Sequence, residues 1–199
     1  VEKMQSTQAM RAIAEHSDKT YTLLYTKHTA LKIGMFALER MVQIMGMTQA
    51  GMVYADHYQQ MDSVQKPAPV IDYQFGSLRD DFNFGSVLLF NANVFKEVIE
   101  NTEEEYQYAG LYDLRLKISQ KSKLVHINEY LYTEVESDKR KSGEKQFDYV
   151  DPKNRQVQIE MEQACTNHLK EIGGYLYPIF RPVDFSSHTF EYEASVIIP

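Results

Sequence analysis

The chain has 199 residues, 43% of them hydrophobic and 25% charged, which gives it a substantial core and rules out wholesale disorder. Its formal charge of -7, from 21 basic and 28 acidic residues, argues against nucleic acid as a partner, and no apolar run approaches the ~20 residues that span a bilayer. A single cysteine, Cys165, excludes an internal disulfide framework and a cysteine-rich zinc module. There is no tryptophan but there are 14 tyrosines, so aromatic surface comes with hydroxyls attached, as in sugar-binding clefts, cores and interfaces alike. The first seventeen residues mix charge and polarity and lack the apolar stretch of a secretory signal, so a cytoplasmic location is expected.

Alanine-rich residues 2–16 predict a helix with Met10, Ile13 and Ala14 on one face. Residues 20–26 (TYTLLYT) are β-branched and aromatic, as in a strand. Leu31, Met35, Leu38, Val42 and Met45 are spaced by four and three, which predicts a helix over 31–47. Residues 50–58 (AGMVYADHY) read as the next strand, so a βαβ unit and at least part of a parallel sheet are expected. Residues 59–75 read as loop, because Pro67 and Pro69 exclude a central strand. Further along, strands are predicted at 84–90, 124–127 and 130–135, and helices at 93–101, 108–120 and 154–172. The charged residues 137–145 read as an exposed loop, and Gly173-Gly174 stops the last helix. The fold class is therefore α/β, a small sheet flanked by helices with a C-terminal helix and an extended tail.

Candidate chemistry lies in the acidic residues. Asp56 and His57 close a predicted strand, where α/β folds bind ligands, although such residues also simply solvate loops. Arg79, Asp80 and Asp81 precede another strand and could hold a metal or polarise a sugar hydroxyl. Asp113 sits beside an apolar helical stripe and could turn toward a cleft or toward water. His28 and His126 have no second histidine at metal-ligand spacing. No Gly-x-Ser-x-Gly elbow and no Gly-rich phosphate loop occurs.

Four segments together resemble the second half of a family 2 glycosyltransferase: TYTLLYTKHTALKIGMFALERMV, AGMVYADHY, FGSVLLFNANVFKEV and YAGLYDLRLKISQKSKLVHINEYLY. The last is the most specific, through Tyr112, Asp113, Leu114 and Leu116, then Val125, His126, Ile127, Leu131 and Tyr132. The final EYEASVIIP resembles the first strand of another such domain. The resemblance implies a partial GT-A-like module over 1–175, a linker over 176–193 and the start of a second module at 194–199. It also implies a nucleotide-sugar donor, a glycan acceptor, and magnesium or manganese held by an Asp-x-Asp motif. In such an enzyme the metal neutralises the departing diphosphate while a carboxylate takes the acceptor proton.

The sequence departs from that pattern. Asp56 is kept, but Tyr58 stands where the second carboxylate would be, and Gly110-Leu111 replace the acidic pair expected before Tyr112. The nucleotide-binding first strand and turn are not recognisable. The resemblance leaves Asp56 for a metal, Lys27, His28, His57 and Arg79 for substrate, and Asp80, Asp81 and Asp113 as stand-ins for the base. Two readings follow: a sugar-transferase module of a polysaccharide-building protein, or a degenerate module kept for binding acceptor glycan or for scaffolding.

Overall fold

The computed structural model describes residues 4–61, 63–135 and 155–182. The chain enters through helix α1 (Thr7–His16), whose first turn is capped by the Ser6 hydroxyl accepting the Ala9 amide at 3.1 Å. Strands β1 (Tyr21–Tyr25) and β2 (Leu31–Ile33) precede helix α2 (Ala37–Thr48). Strands β3 (Met52–Met61), β4 (Val64–Ala68) and β5 (Val87–Asn91) follow, then helices α3 (Ala92–Glu100) and α4 (Gly110–Lys121). Strand β6 (Leu124–Val135) and helix α5 (Arg155–Glu171) complete the described elements.

One mixed sheet runs in the order β1-β5-β3-β6-β2, with β4 pairing the far end of β3. The expected strands at 20–26, 50–58 and 84–90 do share this sheet. β1 and β3 run the same way but are separated by β5, which is antiparallel to both. The parallel neighbour of β3 is β6, with Met52 opposite Leu124 and a register shift around Asp56. Period-two alternation along β3 divides the core. Met52 and Tyr54 face Met10, Phe95, Leu114 and Ile118 of α1, α3 and α4, whereas Val53 and Ala55 face Met41 and Met45 of α2. The molecule is thus mixed α/β, with helices on both sheet faces. Among the described residues no helix is long and apolar enough to cross a membrane.

Three expectations are corrected. The helix predicted over 31–47 starts at Ala37, because Leu31–Ile33 pair with Tyr132–Glu134 as an edge strand. Gly34 makes that turn possible: a Cβ there would lie 2.7 Å from the Leu131 carbonyl oxygen, to which its own amide donates at 2.9 Å. The buried stripe of α2 is accordingly Ala37, Met41 and Met45, while Met35 is exposed. The predicted loop over 59–75 begins as a hairpin, since β3 continues to Met61 and β4 returns along it. Pro67 is tolerated because β4 pairs off the main strand path. The strands predicted at 124–127 and 130–135 are one strand, β6.

Helix α4 is buried on nearly every side. Leu114 and Ile118 face the sheet-side core, and Tyr112 and Leu116 meet Ala164 of α5. Its start abuts the start of α1, where the Leu111 amide donates to Gln5 O at 3.2 Å and the Thr7 amide to Tyr106 O at 2.9 Å. On α5 the buried residues are Glu160, Ala164 and His168, and the Glu160 carboxylate accepts the Tyr108 amide at 2.7 Å. Residues 137–145 and 194–199 lie outside the described residues.

Burial sets one pH dependence. His57 and His168 hold pKa values below the ordinary 6.5 because burial disfavours the charged ring. The unfolded chain therefore binds these protons at higher pH than the fold does, and the associated stability is lost as pH falls through about 6.5. Urea unfolding is expected to show a free energy that declines from about pH 7 to about pH 5, less steeply in His168→Gln. An unchanged slope in that variant would contradict the assignment.

Candidate functional site

The loop between β4 and β5 is held to the body of the protein by side chains. At its start, the Val70 amide donates to Asp56 Oδ1 at 2.8 Å, and the Tyr54 hydroxyl donates to Ile71 O at 2.8 Å while accepting the Tyr73 amide at 2.7 Å. His126 reaches Asp56 through Nε2 at 2.9 Å and Asp72 through Nδ1 at 2.7 Å. Further on, the Tyr112 hydroxyl donates to Leu78 O, and Arg115 donates to Ser77 O at 3.2 Å and to Arg79 O at 2.9 Å. At its end the Tyr132 hydroxyl accepts the Ser86 amide at 2.9 Å, and burial pushes its pKa up to about 12. Backbone groups that lack strand partners are satisfied in this way.

Between the last part of this loop, β5 and α4 lies a cleft of about 340 Å³. Exposed Asp80, Asp81 and Asn83 line it together with Phe82, Phe84 and Tyr112. Phe82 and Phe84 pack at 4.5 Å between ring centroids, and Tyr54 meets Phe84 edge-on at 4.8 Å. Arg115 also lines the cleft, with its guanidinium over the Tyr112, Phe84 and Tyr73 rings at 4.7, 5.2 and 5.8 Å.

The structure brings some of the expected residues together and separates others. Asp80 and Asp81 share the cleft. Arg79 stands beside them in a two-pronged pair with Asp81, both contacts at 2.8 Å, which holds the Asp81 carboxyl below its usual range. Asp80 accepts only the Asp81 amide, at 3.1 Å, and joins no ion pair among the described residues. Asp113 is elsewhere: it is buried, pairs with Lys117 at 2.9 Å and does not line the cleft. Lys27 pairs with the buried Glu134, and His57 Nε2 lies 3.5 Å from the same carboxylate with its ring stacked on Tyr132. His28 is exposed.

Asp56 is 1% exposed, and its Oδ1 already accepts from Val70 and faces His126. Tyr58 turns to stack on Tyr130 at 4.7 Å. Among the described residues no three carboxylate, imidazole or thiolate groups converge on one point. These side chains therefore do not fit the divalent ion that the resemblance implies, which needs several open oxygen ligands.

Sequence reasoning missed Arg115, Asn83 and Glu134. An arginine inside the run Leu114-Arg115-Leu116, on a helix with apolar residues on both sides, was the available signal. No protein-family model matches the chain, and comparison with curated proteins gives no match either.

Proposed function

We propose that this chain is a partial GT-A-like module of a family 2-like glycosyltransferase and that its cleft binds the glycan acceptor. The observation that carries the reading is the cleft itself, where exposed carboxylates and an amide stand among aromatic rings. A pyranose offers hydroxyls to the former and a C–H face to the latter, the mixture of apolar wall and few polar groups expected of a small-ligand site. The module is non-catalytic in this reading, because the metal position is sealed at Asp56 and no carboxylate stands at Gly110-Leu111. Donor binding and transfer then belong to a further glycosyltransferase module of the same cytoplasmic polysaccharide-building protein.

A second reading, transfer at this cleft, is favoured by one observation: Asp80 is exposed there and in no ion pair among the described residues, as a general base would need to be. In that reading Asp81, neutralised by Arg79, orients the acceptor.

Calorimetric titration with acceptor oligosaccharides tests the proposal. Binding is expected without metal, about tenfold weaker in Phe82→Ala and Asn83→Ala, roughly the loss of one good contact. His28→Ala should leave it unchanged. Sugar transfer from a uridine diphosphate sugar, abolished in Asp80→Asn, would select the second reading; absence of any oligosaccharide binding would remove both.

A further inference from the structure

Among the described residues the buried charges fall into two groups. Asp113 is met by Lys117, Glu134 by Lys27, Asp56 by the Val70 amide and His126, and Glu160 by the amides of Tyr108 and Ala109. None of these four carboxylates lines the cleft. Arg115 does, and it is only 5% exposed. Its partners are two neutral carbonyls and three ring faces, and among the described residues no carboxylate lies within bonding distance of it. Of the five N–H groups that a guanidinium carries, two are used in this way. Asp81 is already paired with Arg79, and Asp80 acts on Arg115 only through space. A buried cation without a counter-ion is costly, and a planar guanidinium fork matches an oxyanion such as a carboxylate in a two-pronged contact.

We propose that Arg115 forms a carboxylate subsite, so that the cleft takes a sugar unit bearing an acid group, a hexuronate residue of the acceptor. The inference rests on the glycan-binding reading above. The rings of Phe84 and Tyr112 flank the guanidinium and Phe82 packs on Phe84 in the same cleft, which allows the pyranose to pack against this wall while its carboxylate meets the fork. The same cation would also attract a diphosphate, the other oxyanion available to such a protein, and the experiment separates the two.

The test is calorimetric titration of the intact chain with three probes: a uronate-containing oligosaccharide, the same oligosaccharide with its carboxyl groups reduced to alcohols, and uridine diphosphate. The acidic oligosaccharide is expected to bind about tenfold to a hundredfold more tightly than its reduced form, the range for a charge-assisted contact. That preference should shrink in Arg115→Lys, which keeps the charge but loses the fork, with unfolding followed by circular dichroism as a check on the fold. The ligand pair alone decides the matter even if every Arg115 variant fails to fold. Equal binding of the two oligosaccharides would overturn the subsite while leaving glycan binding intact. Binding of uridine diphosphate in preference to the acidic oligosaccharide would assign Arg115 to the donor and overturn it as well. Binding of none of the probes would remove both the subsite and the reading beneath it.

Discussion

Gly110→Glu is expected to destabilise the protein by about 3 kcal/mol, the upper part of the range for overpacking, rather than to supply the catalytic base that the resemblance expects there. A Cβ at position 110 would lie 2.3 Å from the Thr7 amide nitrogen and 2.4 Å from the Ser6 carbonyl carbon. These are backbone atoms held by the Thr7–Tyr106 and Leu111–Gln5 hydrogen bonds, so they cannot step aside without opening the contact between α1 and α4. Even Gly110→Ala should lose about 1–3 kcal/mol, against the ~1 kcal/mol that alanine ordinarily gains over glycine in a helix. Leu111 differs, because it is only partly buried and lines the cleft. Leu111→Asp should therefore fold, with a modest loss of apolar burial, and place a carboxylate in the cleft. Urea unfolding of the three variants measures the contrast. A Gly110→Glu protein as stable as the parent would show that the approach of the two helices is not as close as described.

Lys117→Met should cost about 3 kcal/mol near neutral pH, the lower end for breaking a buried pair by removing one partner. Lys117 lies 2.9 Å from Asp113 and 2.7 Å from Glu104, with its side chain 14% exposed. Burial already raises the Asp113 carboxyl above its usual pKa, and the lysine opposes that rise. Without the cation the carboxyl is pushed further up, so the fold holds its proton to higher pH than the unfolded chain does. The deficit should therefore be largest above that raised value and shrink as pH falls and Asp113 becomes neutral. Lys117→Met combined with Asp113→Leu should recover most of the loss, since the carboxylate that still lacks its cation, Glu104, has a side chain 32% exposed and open to water. A single variant within about 0.5 kcal/mol of the parent, as for an ordinary surface position, would contradict the cluster. Asp113 is accordingly a residue that anchors α4, the helix that presents Tyr112 and Arg115 to the cleft.

Much of the fold was legible because local periodicity and burial agree. β1, β3 and β5 are rich in apolar and aromatic residues where they cross the core, and α1 and α3 carry single, mainly apolar sides. β2 was not legible, since Leu31 and Met35 continue the helical spacing of Leu38, Val42 and Met45 across a turn that only the Leu131 contact reveals. The hairpin of β3 and β4 was hidden because its strand ends are polar and solvent-facing, with no buried face to impose alternation. At the site, the neighbouring carboxylates Asp80 and Asp81 could be picked out by residue type alone. Asp113 could not be placed, because a helix buried on several sides has no single stripe from which to read inside and outside. Arg115 and Glu134 acquire meaning only from partners more than thirty positions away in sequence, Ser77 and Lys27.

Amide hydrogen exchange with and without a saturating acidic oligosaccharide tests whether the cleft beside α4 binds a glycan. Protection is predicted in the segment carrying Asp80 to Gly85 and at the start of α4, with no change around Asp56, His126 and the β3–β4 hairpin. Protection confined to the Asp56–His126 region, or none in the presence of demonstrated binding, would contradict it.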